Sequence, residues 1–459
     1  MSDKPVITTS YGKLQGGTAI SRKGRKFQYF SGIPYAEPPV GPLRFKPPVS
    51  HKGWEGIRDA SKEGSPAVQI DMFSSKPCGN EDCLFANIYT PTCEGPLKPV
   101  LVLIHGGAFG IGSGSALLYG GNFLMDHDIV LVTFNYRLGA LGFLNLDIEG
   151  ASGNMGMKDQ VLLLKWIQNE IKNFGGDPNN VTISGCSAGG ASVHYHMVSP
   201  LSKGLFHKAI AESGTIPCEW AFMKHHYKSS FDLGKHLGLD AGNKQELLEQ
   251  LMTVPAERFA EVQNLVVPKE KIVKGNGWAF VPSVEAVGDN RFLSTDPHEL
   301  IVGNNAADVP FLMGVNTHEG FLILAKLTSH PHVLETLNKD FKVIFEDLAF
   351  PPSLTTEEIA TLANRIKRKY FKEEIIEYPK HFQELVDVSC LSYFFSFIHF
   401  ELCFYLFHIL IYIASFSGVS HCDELGYLYS CAFNTEKIIE KGSLADATIE
   451  RMTTMWANF

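Results

Sequence analysis

Short continuous runs of apolar residues recur along the chain and predict strands that are buried on both faces. Three of them are 100–104 (VLVLI), 129–134 (IVLVTF) and 311–315 (FLMGV). Strands of a parallel sheet that is covered on both sides show such runs, because neither face of the strand meets water. Residues 1–50 differ, since short extended runs alternate there with Gly and Pro turns, which is typical of hairpin strands.

Between the strand candidates the spacing of apolar residues becomes helical. Apolar residues recur every three or four positions within 158–174, which predicts a helix with one buried face that the glycines at 175 and 176 end. Alternation of strand and helix indicates a mainly parallel sheet with helices on both sides, so the predicted fold class is α/β. Residues 216–310 and 325–385 are mostly polar-amphipathic and lack clean strands, and we expect helical insertions over the sheet there.

A further short apolar run, 181–183, leads into Gly185-Cys186-Ser187-Ala188-Gly189, and helix-compatible residues follow from 191 to 197. This layout is typical of a nucleophile elbow, a sharp strand-to-helix turn that exposes a serine hydroxyl above the sheet. Glycines flank the serine because the turn needs strained backbone angles and close contacts. Ser187 is therefore the candidate nucleophile.

A serine hydroxyl is a poor nucleophile unless a base takes its proton, and the base needs a third group to orient it. On hydrolases with this elbow the chain order is serine, acid, histidine. Glu319 follows the strand candidate 311–315, and His421 lies further on in Gly418-Val419-Ser420-His421. We predict that Glu319 and His421 complete a triad with Ser187. Asp423 and Glu424 also lie near His421, but they follow it in the chain.

The negative oxygen that forms during attack on a carbonyl needs backbone N–H donors. Gly106, Gly107 and Ala108 come directly after the strand candidate 100–104 and can supply two of them. Ala188, at the start of the elbow helix, can supply a third, helped by the helix dipole.

Composition excludes some functions. The chain of 459 residues carries a formal net charge of −9, so it lacks the concentrated positive charge of a nucleic-acid surface. No apolar run precedes Val6, so we expect no secretory signal and a cytoplasmic location. Nine scattered cysteines are typical of thiols in a reducing compartment rather than of a disulfide framework.

Two patterns that suggest a bound ion or cofactor are better explained otherwise. The four histidines at 194, 196, 225 and 226 have no cysteine or carboxylate at ligand spacing, so we expect no metal site. The glycine-rich stretch 110–114 lacks the spacing of a dinucleotide-binding loop. We therefore expect no cofactor.

Several motifs in one order make the chain resemble the type-B carboxylesterases, the family of cholinesterases and carboxylesterases, and above all the intracellular α-esterases of insects. They reach from the first residues to about residue 454, with one gap. The matching stretches are Gly41-Pro42-Leu43-Arg44-Phe45, Glu81-Asp82-Cys83-Leu84, the HGGAF sequence at 105–109, Asn135-Tyr136-Arg137-Leu138-Gly139, 153–160 (GNMGMKDQ), 185–190 (GCSAGG), 314–320 (GVNTHEG) and 418–425 (GVSHCDEL).

The resemblance implies an α/β-hydrolase fold that hydrolyses small carboxylic esters through an acyl-enzyme, with a broad detoxifying specificity. It implies that Ser187 is the nucleophile, Glu319 the acid and His421 the base. The backbone donors to the oxyanion would be Gly107, Ala108 and Ala188.

The resemblance also implies two structural ion pairs, Arg44 with Glu81 and Arg137 with Asp159. The residues that we expect to line the substrate pocket are Phe109, Trp278 and Phe280. A non-catalytic or damaged relative that acts as a binding protein is the alternative function, and the sequence leaves the oligomeric state open.

Two departures from the family concern cysteines. The residue before the nucleophile is usually acidic, or Gln in some members, but here it is Cys186, which makes the surroundings of Ser187 less negative. Secreted members pair the cysteine equivalent to Cys83 with an upstream partner, whereas 65–69 (SPAVQ) contains none.

Two further departures concern the last part of the chain. Residues 390–416 are strongly apolar, with Glu401 as the one charged residue, where the family has a strand and a polar loop. We expect a buried irregular segment there or an altered coding sequence, and not a membrane span, which would carry His421 away from Ser187. The chain stops at Phe459, inside a helix that resembles one of the family, whereas relatives continue beyond it, so we expect one α/β-hydrolase domain, 1–459, that is incomplete at its C-terminus.

Overall fold

A computed structural model describes residues 4–216, 218–224, 226–267, 278–303, 305–316, 319, 332–344, 355–372, 375–377, 380–381, 383–385, 387–388, 409–414, 420–431 and 439–459. The strands among them are β1 (Val6–Thr9), β2 (Gly12–Gln15), β3 (Gly17–Ile20), β4 (Lys26–Pro34), β5 (Ile57–Asp59), β6 (Gln69–Ile70), β7 (Pro77–Cys78), β8 (Phe85–Thr90), β9 (Lys98–Ile104), β10 (Val130–Phe134), β11 (Asn145–Ile148), β12 (Ala151–Ser152), β13 (Gly176–Cys186), β14 (Lys208–Glu212), β15 (Phe311–Asn316) and β16 (Ile409–Ala414). The α-helices are α1 (Ala116–Tyr119), α2 (Gly139–Phe143), α3 (Met155–Glu170), α4 (Ala188–Val198), α5 (His226–His236), α6 (Lys244–Leu251), α7 (Ala256–Val262), α8 (Pro297–Val302), α9 (His332–Lys339), α10 (Thr356–Phe371), α11 (Leu425–Leu428) and α12 (Leu444–Asn458).

The predicted buried strands lie in one nine-stranded sheet with the order β16-β15-β14-β13-β9-β10-β8-β4-β3. Neighbours from β16 to β10 pair in parallel, and the pairs β10/β8, β8/β4 and β4/β3 are antiparallel. The apolar runs at 100–104, 130–134 and 311–315 are strands, and almost every residue of β9 and β10 is buried. The prediction of a mainly parallel α/β sheet is therefore confirmed.

The helix predicted over 158–174 is α3, which begins slightly earlier, at Met155. Its α-helical part ends at Glu170, and a 3₁₀ turn over Ile171–Phe174 leads to Gly175, whose φ of 78° lies in the left-handed region. Glycine adopts that conformation without a steric cost, so the predicted stop signal acts as expected. The apolar face of α3 packs into the main core between the helices and the sheet through Leu163, Leu164 and Ile167.

The predicted helical insertions are also present. Described parts of 216–310 contain α5 to α8, and described parts of 325–385 contain α9 and α10. No strand occurs in either stretch among the residues that the structure describes. Residues 268–277 and 345–354 lie outside the described residues.

Only six residues of the apolar segment 390–416 are described, and they form β16 at one edge of the sheet, parallel to β15. The expectation of an irregular segment is wrong for these six residues. Their sequence, Ile-Leu-Ile-Tyr-Ile-Ala, is rich in β-branched residues, which favour the extended backbone of a strand. None of the helices in the described part of the chain combines the length and the apolar character needed to cross a membrane.

The parallel strands place their carboxyl ends at the same edge of the sheet, where ligands bind in open α/β sheets. The segments that follow β9, β13, β14, β15 and β16 all begin at this edge. Each of the predicted chemical groups lies in one of these segments.

Candidate active site

The elbow forms where β13 turns into α4. β13 ends at Cys186, α4 begins at Ala188, and Ser187 between them has φ 60° and ψ −122°. This is a conformation that a non-glycine residue adopts only under strain, so the surrounding contacts must hold it. The N–H of Ser187 donates to the carbonyl of Glu212 at 2.8 Å, and the carbonyl of Ser187 accepts from Ala191 at 2.9 Å. The predicted strand–turn–helix layout is therefore present.

The glycines of the elbow allow two parallel strands and a helix to meet. A Cβ on Gly189 would lie 2.0 Å from the carbonyl oxygen of Ile104, at the end of β9. A Cβ on Gly185 would lie 2.5 Å from the carbonyl carbon of Gly189. Neither position has room for a side chain, which explains why the motif carries glycine there.

The loop after β9 packs directly against the elbow. A Cβ on Gly106 would lie 2.7 Å from the carbonyl oxygen of Cys186 and 3.2 Å from the Cβ of Ser187. Gly107 and Ala108 follow with φ of 109° and 51°, and no acceptor among the described residues takes the N–H of either one. Ala188 occupies the first position of α4, where a helix leaves its N–H groups without an intrahelical acceptor. The loop after β9 thus packs against the elbow, and Ala188 follows the serine directly in the chain.

His105, at the start of this loop, contacts neighbouring residues that hold the loop in place. Its ring stacks on Tyr136, with ring centroids 4.4 Å apart, and its Nδ1 lies 2.8 Å from the carbonyl oxygen of Gly106. Burial lowers the pKa of His105 to about 4. The ring is therefore neutral at pH 7 and helps to hold the backbone of the loop.

Two of the three predicted triad residues are in contact. The Nδ1 atom of His421 lies 2.5 Å from Oε2 of Glu319, whose side chain is 1% exposed. The other carboxylate oxygen, Oε1, accepts hydrogen bonds from the N–H of Asn316 at 2.8 Å and from the hydroxyl of Ser213. Both oxygens of the buried carboxylate therefore have partners, and one of them orients the imidazole.

Ser213 and Asn316 are site residues that the sequence analysis missed. Ser213 follows β14, and Asn316 is the last residue of β15, so both lie at the carboxyl edge of the sheet. The side-chain amide of Asn316 donates to the carbonyl of Ser420 at 2.7 Å and also bonds the carboxyl of Glu424. The position directly after a strand was the available signal for Ser213.

The two acidic residues after His421 do not contact its Nδ1. The carboxylate of Asp423 accepts a hydrogen bond from the N–H of Ser420 at 2.5 Å, which closes the turn formed by residues 420–423. Glu424 is buried and lies near a second buried carboxyl, Glu212. The prediction that the acid precedes the histidine in the chain agrees with the contact between Glu319 and His421.

The buried carboxyls Glu212 and Glu424 favour their protonated forms. Burial raises the pKa of Glu212, and the charge of Glu424 raises it further. Burial likewise raises the pKa of Glu424, with a smaller contribution in the same direction from Glu319. One oxygen of each carboxyl, Oε2 of Glu212 and Oε1 of Glu424, has no hydrogen-bond partner among the described residues. A proton on one carboxyl is the simplest way to avoid two buried negative charges side by side.

Cys186 and Cys422 form a disulfide, with their Cα atoms 6.2 Å apart. The expectation that the cysteines are scattered thiols is wrong for this pair, because the fold brings the end of β13 next to the segment 420–431, across 236 residues of chain. Each cysteine is a neighbour of a predicted triad residue, so Ser187 and His421 lie close together at the same edge. Cys83, by contrast, is a buried free thiol.

Both predicted ion pairs are present: Arg137–Asp159 is buried, and Arg44–Glu81 is partly buried. Arg44 bonds Glu81 through two contacts, at 2.5 and 2.6 Å, and its remaining nitrogen donates to carbonyl oxygens that include that of Val254. Arg137 bonds Asp159 through contacts of 2.7 and 2.8 Å. Arg44 thereby ties its turn to the carbonyl of Val254, 210 residues further along the chain.

Of the three residues predicted to line the pocket, Trp278 is partly exposed, whereas the two phenylalanines are buried. Trp278 packs against Gly110, where an added Cβ would lie 2.8 Å from its ring, so it sits beside the glycine-rich loop. Phe109 is fully buried against Phe143, and Phe280 is also buried. Gly112 and Ser113 of the same loop line a cavity that opens to solvent, together with Glu63, Gln69 and Phe85. Contact of these residues with a substrate stays a prediction.

Two of the four histidines that suggested a metal site have ordinary partners. His196 is buried between the hydroxyl of Ser202 and the side-chain amide oxygen of Gln160, at 2.7 and 2.8 Å. His194 accepts the N–H of Ile216 at 3.3 Å. His225 and the side chain of His226 lie outside the described part of the chain.

Comparisons with known proteins identify the family to which the chain is similar. A family model described as "Carboxylesterase family" matches residues 3–459. A carboxylic ester hydrolase of Bombus ignitus is 38% identical over 385 residues, covering 81% of this chain and 67% of that protein. Esterase E4 of Myzus persicae is 40% identical over 328 residues, covering 70% of this chain and 58% of that protein.

A solved structure shows the same fold. The crystal structure of juvenile hormone esterase from Manduca sexta, with OTFP covalently attached, superposes with a TM-score of 0.84 and is 28% identical. The superposition covers 99% of this chain and 90% of that one, so the arrangement described above is an α/β-hydrolase fold. With a family model matched along nearly its whole length, the chain belongs to the carboxylesterase family, whose members hydrolyse carboxylic esters.

Proposed function

We propose that the protein is a serine carboxylesterase in which Ser187 attacks the ester, His421 moves the proton and Glu319 orients His421. The observation that carries the proposal is the 2.5 Å contact between Nδ1 of His421 and the buried carboxylate of Glu319. This contact lies at the same sheet edge as the strained elbow, against which the loop containing Gly106 packs.

The contact with Glu319 decides which nitrogen of His421 reacts. An imidazole that donates its Nδ1–H to a carboxylate has an unprotonated Nε2, which can accept the proton of Ser187 as the hydroxyl attacks the ester carbonyl. The carboxylate then stabilises the imidazolium that forms. Because Glu319 also accepts from Asn316 and Ser213, it is held in place for this task.

The loop after β9 and the start of α4 would stabilise the oxyanion. The N–H groups of Gly107, Ala108 and Ala188 are the proposed donors, and loss of one such donor typically costs about 3 kcal/mol of barrier. The protonated His421 then gives its proton to the leaving alcohol, which leaves an acyl group on Ser187. A water molecule activated by the same imidazole releases the acid and restores the serine.

The proposed substrates are small carboxylic esters with a range of acyl chains. Such breadth, and the detoxification of foreign or dietary esters that it would serve, rests on the resemblance to insect α-esterases. A panel of p-nitrophenyl esters from acetate to octanoate tests it: a broad enzyme would keep kcat/KM within about two orders of magnitude across the panel. A single strongly preferred chain length would contradict the proposed breadth.

Rapid mixing with p-nitrophenyl butyrate tests the catalytic proposal. We expect a burst of p-nitrophenol equal to the concentration of active sites, followed by slower turnover, because acylation and deacylation are separate steps. Ser187→Ala should show no burst, and Ser199→Ala, a change at a buried serine that donates to the carbonyl of Phe292, should keep it. A folded wild type with no burst would favour the non-catalytic alternative.

A further inference from the structure

The disulfide between Cys186 and Cys422 joins the two segments that carry the proposed nucleophile and base. Cys186 precedes Ser187 in the elbow, and Cys422 follows His421 in the segment after β16. The two sulfur atoms and a ring nitrogen of His421 lie within 4.8 Å of one another. A covalent bond therefore sits directly beside the groups that the proposed reaction uses.

The segment 420–424, which we call the base loop, is otherwise attached to a different strand. The side chain of Asn316 donates to the carbonyl of Ser420, and Glu319 bonds His421, so these contacts run to the end of β15. The disulfide runs instead to the end of β13, two strands away, where the serine is. Cys422 has a φ of 61°, a left-handed conformation that a non-glycine residue keeps only when its surroundings hold it.

We propose that the Cys186–Cys422 disulfide is a positioning element of the active site, and a thiol–disulfide exchange site at which a dithiol reductant lowers ester turnover. This inference rests on the proposed function, since it assigns to the bond the task of holding His421 in register with Ser187. The cysteines are positioning residues, because they act through the neighbouring imidazole and hydroxyl.

The exchange step can begin at Cys422, because its residue is partly exposed whereas Cys186 is 1% exposed. A thiolate of the dithiol attacks the sulfur of Cys422, forms a mixed disulfide and expels the sulfur of Cys186, which takes up a proton. The second thiolate of the dithiol then attacks the reductant's sulfur in the mixed disulfide. This closes a disulfide within the reductant and releases the thiolate of Cys422, which takes up a proton. Two electrons pass from the dithiol to the protein, and the reductant leaves as a disulfide.

Reduction should lower the rate because the elbow and the base loop are then free to separate. Displacement of a catalytic group by about 1 Å can cost a hundredfold in rate, since the reacting atoms lose their alignment. Substrate binding does not depend on the position of His421 in the same way. We therefore expect a loss in kcat with little change in KM.

The test compares oxidised and dithiothreitol-reduced wild-type protein in the p-nitrophenyl butyrate assay. Burst amplitude counts the active sites, so kcat per active site can be separated from loss of folded protein. We expect kcat per site to fall at least about tenfold on reduction, with KM within about twofold, and to return after treatment with oxidised glutathione. A bond that only stabilises the fold would lower the burst amplitude and the Tm but leave kcat per site unchanged, and that result would overturn the inference.

Two variants serve as matched tests. The double variant Cys186→Ser with Cys422→Ser imitates the reduced state, so it should have the low kcat and should not respond to dithiothreitol. Cys93→Ser removes a half-buried free thiol outside the site, and it should keep the full response. If the double variant does not fold, reduction and reoxidation of the wild type still decide the question.

The two proposals fail in different ways. An oxidised wild type without a burst would reject the proposed function itself. An oxidised wild type with a normal burst whose kcat per site does not change on reduction would reject only the role of the disulfide. Differential alkylation with mass spectrometry confirms which state is being assayed, and free thiols at 186 and 422 that resist oxidation would also overturn the inference.

Discussion

Single residues around Glu319 show how a buried carboxylate is held in one position. Its Oε1 atom accepts from the hydroxyl of Ser213 and from the backbone of Asn316, while Oε2 faces His421. Hydrogen bonds to a charged group are worth about 1.5–3 kcal/mol each, more than those between neutral groups. Residues that touch no substrate can therefore matter for the rate.

Ser213→Ala should lower kcat/KM about tenfold to a hundredfold. The carboxylate loses one donor, so it holds the imidazole less firmly and supports its positive charge less well. Steady-state kinetics with p-nitrophenyl butyrate measures the effect, and Ser199→Ala controls for the loss of any buried serine hydroxyl. Equal kcat/KM in Ser213→Ala and wild type would show that this hydrogen bond does not support catalysis.

Gly106 shows how little space separates the glycine-rich loop from the elbow. In Gly106→Ala the new Cβ would lie 2.7 Å from the carbonyl oxygen of Cys186, a contact that real structures do not tolerate. The loop must move, and the donors at Gly107 and Ala108 move with it, so we expect kcat to fall about a hundredfold.

A matched glycine gives the control for this change. A Cβ on Gly242 would meet only the carboxylate end of Glu246, at 3.4 Å. Gly242→Ala should therefore leave kcat within about twofold of wild type, while Gly106→Ala loses most of it. Near-normal turnover in Gly106→Ala would contradict the placement of the loop against Ser187.

At the scale of secondary-structure elements, four strands of the parallel part of the sheet each lead to one group of the proposed site. β13 carries the serine, β15 leads to Glu319, β16 leads to His421, and β14 leads to Ser213. This arrangement also buries two carboxyl groups beneath the site. Glu212 from β14 and Glu424 from the base loop are both buried, and they are not part of the proposed chemistry.

Glu212 and Glu424 should make the folded protein less stable as the pH rises. Burial raises the pKa of Glu424 to about 7 and that of Glu212 to about 8, from an ordinary value of 4.5. A carboxyl that binds its proton more tightly when folded contributes stability that is complete below about pH 4.5 and lost as the pH rises through the folded values. The expected window therefore runs from about pH 5 to pH 8.

Glu212→Gln removes one of these two titrations and should flatten the pH dependence of the Tm in this window. Thermal unfolding followed by circular dichroism from pH 5 to pH 8.5 measures it. Glu55→Gln, a change at an exposed carboxylate, should follow the wild type. Parallel curves for Glu212→Gln and wild type would show that Glu212 does not hold a proton in the folded protein.

At the scale of the whole molecule, the pattern of apolar runs and glycines predicts most of the fold. Continuous apolar runs that alternate with an amphipathic helix, as at β9 and α3, are compatible with few folds other than a parallel sheet covered by helices. The elbow motif is informative because a Cβ on Gly185 or Gly189 would collide with the backbone carbonyl of Ile104 at the end of β9. Ser187, Glu319 and His421 could be proposed because the order of the three residues along this fold is known in advance.

The sequence could not predict contacts that depend on how distant loops meet. Cys186 and Cys422 are 236 residues apart, and nothing in their local sequences marks them as partners. Ser213 is one of many serines in the chain, and only the register of β14 beside β13 and β15 places it at Glu319. The strand β16 was obscured because the whole apolar segment around it is unusual for the family.

The redox state of the cell compartment decides whether the Cys186–Cys422 disulfide is closed. The predicted cytoplasmic location stays a prediction, and a disulfide in such a compartment is usually transient or redox-sensing. A transient disulfide of this kind is what the proposed exchange at Cys422 requires. If the protein instead resides in an oxidising compartment, the same bond would remain closed and act only as a fixed positioning element.

Mapping the site of a fluorophosphonate adduct tests the central claim most directly, because such reagents trap a serine that a neighbouring base has activated. Peptide mass spectrometry after labelling should find one adduct, at Ser187, in the wild-type protein. His421→Ala should be labelled at least about a hundredfold more slowly, since the hydroxyl has lost the group that takes its proton. An adduct at another residue, or labelling of Ser187 at the same rate in His421→Ala, would contradict the account.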